Sequence, residues 1–211
     1  MVDTINDMPM PVVRRLSRYL TYLQVCDKKN IDWVSSDQLA DEFSLTSITV
    51  RRDISYLSNF SGVPKRGYKT RMLMDVLQKA FGSGQVTRMV VIGAGSLGYL
   101  FSAQEDRVKQ QFEICGVFDT NPEAVGKSIG RMTVQSLERF SHTIWDKKVD
   151  MGVVAVSEDR VQEVADLLVM AGVRGILNFT PVQILAPENV TVINAPILTS
   201  LLELLYLIQA R

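Results

Sequence analysis

The chain has 211 residues, 46% hydrophobic and 22% charged, the balance of a globular protein with room for one large domain or two modest ones. Two cysteines, Cys26 and Cys115, and a single histidine, His142, offer no metal-ligand spacing, so neither a disulfide framework nor a metal site is expected. No apolar run approaches the roughly 20 residues of a membrane span, and Asp3 and Asp7 are unlike the basic start of a signal peptide, so the expected location is the cytoplasm, with no membrane partner.

A net charge of zero hides an asymmetry. Residues 1–80 carry 12 Lys/Arg against 9 Asp/Glu, which leaves 11 against 14 for the remainder. Between Phe43 and Ala80 the imbalance sharpens to 7 basic residues and 2 acidic ones, a candidate phosphate-binding face.

Pro9 and Pro11 precede a first amphipathic helix in which Val12, Leu16, Tyr19, Leu20 and Leu23 share one face, while Arg14, Arg15 and Arg18 fall largely on the other. Ser35 followed by Gln38 makes a capping box before a second helix through Leu39, Ala40 and Phe43. After a break at Ser44-Leu45-Thr46, Ser47 is positioned to cap a third helix. There Val50, Ile54 and Leu57 turn inward together, and Arg51, Arg52, Ser55 and Tyr56 turn toward solvent. Helix, tight turn and basic helix describe a helix-turn-helix that binds double-stranded DNA. Base reading is assigned to Ser47, Thr49, Arg51 and Arg52, since arginine can engage a guanine edge with two hydrogen bonds. The alternative for either arginine is a surface ion pair, for instance with Asp53. Gly62 to Lys69 holds turn residues around a basic tip, a candidate hairpin wing whose Lys65 and Arg66 meet phosphates or the minor groove. A further helical pattern through Leu73, Val76, Leu77 and Ala80 runs into Gly82-Ser83-Gly84, the best domain boundary in the chain. A winged helix-turn-helix domain over 1–81 is therefore expected to precede a nucleotide domain over 85–196.

The second domain is organised around Met89 to Gly98. An apolar run, Met89 to Ile92, passes into Gly93, Gly95 and Gly98, the G-x-G-x-x-G spacing that joins a buried strand to a helix in dinucleotide-binding units. Leu97, Leu100 and Phe101 begin a helix, and a second strand, Ile114 to Phe118, ends in Asp119, 21 residues beyond Gly98. An acidic residue there bonds the adenosine ribose hydroxyls and repels a 2′-phosphate, which favours NAD(H) over NADP(H). The bland alternative for Asp119 is a turn former ahead of Asn121-Pro122. The cofactor-binding set is thus Gly93, Ala94, Gly95, Ser96, Leu97, Gly98 and Asp119, with the phosphates at the helix N-terminus. Further strands at Asp150–Val156, Gly175–Phe179 and Val190–Asn194, with a helix over Glu158–Ala171, imply an α/β, Rossmann-like parallel sheet covered on both faces.

A dehydrogenase needs a general acid or base and a substrate pocket, commonly from a second domain of comparable size. After the nucleotide fold only 197–211 remains, and His142 sits between Ser141 and Thr143 on an expected surface helix, so no catalytic residue is assigned and an enzyme is not expected. The segment from Ile197 to Ile208 is apolar on nearly every side and must be buried all round, either against a second subunit of a two-fold dimer or within its own. An NAD-dependent oxidoreductase with an N-terminal interaction module, and a CoA-binding scaffold, are the competing classes.

Across almost its whole length the chain resembles the Rex family of redox-sensing bacterial repressors. The resemblance rests on Ser35-Ser36, Val50 to Tyr56, Arg66-Gly67-Tyr68, Gly93 to Gly98, Phe118-Asp119 with Asn121-Pro122, Ala171-Gly172-Val173 and Ile176 to Pro181. It implies a winged-helix head on an NAD(H)-binding domain, a homodimer that exchanges its C-terminal helix, and a palindromic operator released when NADH binds. Ser96 stands where the family usually has Asn. Thr21, Gln104 and Pro196 stand where the family places an Arg, a Tyr and an Asp that couple redox state to head position, so a paralogue without the redox response is a further alternative.

Overall fold

The computed structural model describes residues 8–58, 60–82, 86–95, 112–145, 147–195 and 197–209. The chain divides into two compact units, Met1–Gln85 and Val86–Arg211.

The first unit contains helices α1 (Met10–Lys28), α2 (Ser36–Phe43), α3 (Ser47–Ser55) and α4 (Thr70–Ala80), with short strands β1 (Trp33–Val34) and β2 (Tyr68–Lys69). Pro11 lies in the first turn of α1, where its missing N–H costs nothing. The capping box of α2 is present in full: the Gln38 backbone N–H donates to Ser35 Oγ at 3.0 Å, and the Ser35 N–H donates to Gln38 Oε1 at 2.8 Å. Helix α3 is capped by Thr46 rather than Ser47; Thr46 keeps the extended backbone of a cap, and its Oγ1 accepts from the Thr49 N–H at 3.2 Å. Ser47 is already helical. Leu16, Tyr19, Leu23, Leu39, Val50, Ile54, Leu73 and Leu77 fill the core, as the spacing of apolar residues on each helix requires.

Two side chains expected in solvent belong to this core instead. Asp53 is buried, and Arg15 reaches it with two hydrogen bonds, Nε to Oδ2 at 2.6 Å and Nη2 to Oδ1 at 2.7 Å. The Tyr19 hydroxyl donates to the same carboxylate at 2.8 Å. An amphipathic pattern assigns charges to water by default; here a bidentate pair with a third donor satisfies the carboxylate inside. Tyr56 is likewise half-buried against the core, because it ends α3 where the chain turns back.

The second unit is a seven-stranded sheet of β3 (Thr87–Ile92), β4 (Phe112–Asp119), β5 (Ser128–Ile129), β6 (Met132–Ser136), β7 (Met151–Val154), β8 (Gly175–Asn178) and β9 (Thr191–Asn194). Its order is β5-β6-β4-β3-β7-β8-β9, with every neighbouring pair parallel except the β5–β6 hairpin at the edge. Leaving that hairpin strand aside, this is the doubly wound order, in which the chain starts at the centre and builds outward first one way and then the other. Helices α5 (Phe140–Trp145) and α6 (Val161–Met170) pack on one face: Phe140 meets Phe118 edge-on at 5.3 Å, and Val164, Ala165 and Leu168 are fully buried. A Cβ on Gly152 would lie 2.5 Å from Leu168, so the α6–β7 approach depends on that glycine. The opposite face carries Met89, Val91, Val117, Val134 and Val153 in a second cluster. The expected helix from Leu97 lies outside the described residues. The helix expected over Glu158–Ala171 begins as a single tight turn, Glu158–Arg160, before α6 proper.

The last element, α7 (Ile197–Gln209), is a helix as expected, but within one chain it is uncovered: exposure runs from 49% at Leu205 to 71% at Tyr206. A helix apolar on nearly every side and left in water offers a surface that a second chain can cover.

Candidate functional site

Two sites carry the chemistry, one in each unit. In the first, the inward set of Val50, Asp53 and Ile54 fixes the roll of α3 about its axis, and that roll puts Arg51, Arg52 and Ser55 outside. Arg51 Nη2 donates to Ser47 Oγ at 3.2 Å, one turn back along the same face. Thr49 is turned toward the cap, its hydroxyl 2.9 Å from that of Thr46. Of the four residues assigned to base reading, Ser47, Arg51 and Arg52 therefore share the outer face, while Thr49 also serves the helix start. Neither arginine meets Asp53, because Arg15 and Tyr19 already occupy that carboxylate. Burial first, and the Asp53 hydrogen bond second, hold the Tyr19 phenol well above the usual tyrosine range, so it remains a donor throughout the physiological range.

The expected wing is a tight hairpin. Val63 and Gly67 exchange backbone hydrogen bonds at 2.7 and 2.9 Å, leaving Pro64, Lys65 and Arg66 at the tip. Gly67 has φ +90°, and a Cβ there would lie 2.4 Å from the Val34 carbonyl oxygen, so the wing can lie against β1 only with glycine. Lys65 and Arg66 are both exposed, and the Arg66 guanidinium sits 4.0 Å from the centre of the Trp33 ring, which fixes its direction. Ser35, Ser36, Arg51 and Lys65 line one cleft between the start of α2, α3 and the wing. Ser35, the cap of α2, and Ser36, quoted above only for the family resemblance, thereby join the basic residues at one surface.

In the second unit the site lies at the carboxyl ends of the parallel strands, where the strand order reverses between β3 and β7. The Gly93 N–H donates to the Phe118 carbonyl at 2.8 Å, continuing the β3–β4 ladder. Gly93 adopts φ +110°, and a Cβ would lie 2.2 Å from the Ala155 carbonyl oxygen at the end of β7. Glycine is thus imposed by two independent constraints. A Cβ on Gly95 would meet nothing within 4 Å, so the backbone at this position is open to approach. Asp119, at the end of β4, accepts from the Ala94 N–H at 2.7 Å with Oδ2 and from the Asn121 N–H at 2.8 Å with Oδ1. One carboxylate therefore orients the loop and its own turn, and retains acceptor capacity for hydroxyls. The expected turn-forming role of Asp119 and its place beside the loop are both realised. Ser96, Leu97 and Gly98 lie outside the described residues.

Asn178, not singled out for any role from its chemistry, is fully buried at the same end of the sheet. Its Nδ2 donates to the Val182 carbonyl at 2.7 Å and to Asn194 Oδ1 at 2.9 Å, and its Oδ1 accepts from the Thr180 N–H and hydroxyl. The amide saturates its bonds and shapes the loop that follows β8. An asparagine inside an apolar strand is the only trace such a role leaves in sequence.

His142 is exposed on α5, remote in sequence and element from the strand ends that form this site. Among the described residues no group of acidic, cysteine and histidine side chains is arranged for a metal, and no helix is long and apolar enough to cross a membrane.

A capped helix-turn-helix with a basic wing, joined in one chain to a doubly wound sheet with a glycine loop, defines a DNA-binding regulator with a nucleotide-type sensor domain. Two family models match: "Putative DNA-binding protein N-terminus" over residues 7–55 and "CoA binding domain" over residues 84–182. The redox-sensing transcriptional repressor Rex of Caldicellulosiruptor saccharolyticus is 34% identical over 206 residues, covering 98% of this chain and 94% of that one. The Rex of Clostridium acetobutylicum is 31% identical over 208 residues, covering 99% and 97%. Among solved structures, the Rex-family repressor RSP in complex with β-NAD+ and operator DNA matches at a TM-score of 0.84 and 31% identity, covering 99% of this chain and 94% of that one. RSP with β-NADH matches at 0.83 and 32%, covering 99% and 96%. The chain belongs to the Rex family of redox-sensing transcriptional repressors.

Proposed function

We infer that the protein is a dimeric transcriptional repressor that binds a palindromic operator and is released from it when NADH replaces NAD+ in the sensor domain. The observation that carries this is the Asp119 carboxylate on the Ala94 N–H, beside a glycine, Gly95, whose backbone is open to approach, in a chain whose other unit presents a capped basic helix. The residues fit a dinucleotide. Gly93 and Gly95 bring bare backbone to where a pyrophosphate lies in this fold, Ser96, Leu97 and Gly98 complete the motif in sequence, and Asp119 receives the adenosine ribose. The ligand supplies two states differing by a hydride at the nicotinamide. The protein supplies the discrimination, and the cofactor acts as a signal; no residue of the site is assigned a catalytic role.

On the DNA side Arg51 and Arg52 face base edges, Ser47 and Thr49 stand at the helix start, and Lys65 and Arg66 engage the backbone. The C-terminal helix joins the two subunits, and the two-fold axis matches that of the operator. The Asp119 assignment predicts NADH binding tighter than NADPH binding, with Asp119→Ala weakening NADH about tenfold through loss of charged hydrogen bonds. Calorimetry of the four protein–ligand pairs checks this. Equal affinity of the native protein for both nucleotides would remove Asp119 from the site.

A second reading, in which DNA and nucleotide bind without redox coupling, is favoured by Thr21. It lies exposed on α1, and its hydroxyl donates to the Ser17 carbonyl of its own helix at 3.2 Å, so it makes no charged contact of the kind the family's arginine there makes.

A further inference from the structure

Ile48 is the second residue of α3, and its side chain is 71% exposed. No large apolar side chain among the described residues 8–82 is more exposed; Met72 follows at 56% and Met10 at 53%. A single exposed isoleucine needs no explanation in general; its position does. Residues three and four further along a helix share a face, so Ile48 shares its face with Arg51 and Arg52, opposite the buried Val50, Asp53 and Ile54. It adds nothing to the core, and as a β-branched residue it favours the helix less than the arginines that share its face. An apolar group at the leading end of a cationic reading face has one matching feature in a major groove, the C5-methyl group of thymine.

Resting on the DNA-binding function inferred above, we propose that Ile48 is a specificity-determining residue that packs against a thymine methyl in each half-site. The neighbouring arginines select guanine and neutralise phosphate; Ile48 selects thymine over cytosine, which has no methyl at C5. The contact is one of shape and desolvation, with no hydrogen bond, and it contributes to sequence discrimination rather than to the salt-dependent part of the affinity.

The test uses the full-length protein and a duplex selected by it from a random pool. Each thymine of one half-site, together with its symmetry mate, is replaced by deoxyuridine, which removes the methyl group alone. Burial of a methyl-sized group predicts about a fourfold loss of affinity for each half-site contact at one position in the native protein. Ile48→Ala binds the unmodified duplex more weakly by a similar factor and is insensitive to deoxyuridine at that position, while Ile48→Val keeps part of the sensitivity. Because Ile48 is exposed, both variants fold, and an unchanged thermal midpoint records it. Selection of a duplex with no deoxyuridine-sensitive position overturns the proposal and leaves the repressor reading standing. Equal sensitivity in native protein and Ile48→Ala also overturns it, since the methyl is then read by another group. Failure to select any duplex overturns the DNA-binding function itself, and this inference with it.

Discussion

At the scale of single residues, the nucleotide loop is governed by Gly93. Its φ of +110° and the 2.2 Å approach of a Cβ to the Ala155 carbonyl oxygen are separate obstacles to any side chain. Gly93→Ala therefore has to move the end of β3 away from β7. The expected cost is about 2 kcal/mol or more of stability, from backbone strain alone, together with loss of nucleotide binding. Thermal unfolding and NADH titration of the variant measure the two effects; native-like values in both would show that the crevice tolerates a side chain. Asp119 accepts from the N–H groups of Ala94 and Asn121 and still has acceptor capacity on a carboxylate with about four lone-pair sites, enough for the ribose contact proposed for it.

Among the elements, α1 and α3 are held in register by the Arg15–Asp53–Tyr19 cluster. Asp53 is 1% exposed, so its charge has no access to water and depends on its partners. Asp53→Asn leaves the guanidinium without its counter-charge and lowers the stability of the first unit by about 3 kcal/mol, the usual consequence of breaking a buried pair. Denaturant unfolding checks it, and a change below about 0.5 kcal/mol, the size of a surface effect, would contradict the buried assignment. The roll of α3 also changes, so operator affinity falls although Asp53 touches no DNA.

The same cluster marks where sequence stopped being legible. Apolar spacing located α1, α3 and α4 and turned Val50, Ile54 and Leu57 inward, but it sent Arg15 to solvent, because a buried ion pair and a solvated charge look alike until the partner helix is in place. Strands β3, β4, β7 and β8 were visible as apolar runs, since parallel strands buried on both faces need them. The β5–β6 hairpin was not. Ser128–Ile129 is two residues long, and Met132–Ser136 mixes apolar with polar positions at an edge where one side of the sheet is open. The helix start at Thr46 rather than Ser47 was ambiguous by one residue because either hydroxyl can cap, and the choice was made by backbone angles. Arg66 was legible as a basic wing residue; its direction was not, because Trp33, whose ring it stacks on, lies on another strand.

For the whole molecule, the central fact is α7. A helix whose leucines are about half exposed or more in the single chain offers a partner surface, and a two-fold dimer would supply one for each helix. Removal of residues 197–211 is expected to give a monomer by sedimentation. It should also bind a palindrome roughly a hundredfold more weakly, because the second head loses its effective concentration. A truncated chain that remains a dimer would move the interface elsewhere. The Rex-family assignment and the two sites together make the molecule a device that converts the state of a small nucleotide into occupancy of DNA. Of the three positions at which the sequence departs from the family, Thr21 lies on α1, and Gln104 and Pro196 lie outside the described residues.

That connection is tested most directly by fluorescence anisotropy of the labelled operator–dimer complex, titrated in parallel with NAD+ and NADH at fixed salt. Redox sensing predicts that NADH displaces the protein, shifting its operator affinity by roughly tenfold or more, while NAD+ leaves the complex intact. Indifference of the complex to both nucleotides, with binding of each shown separately, would contradict redox sensing and leave a repressor that carries a nucleotide without responding to it.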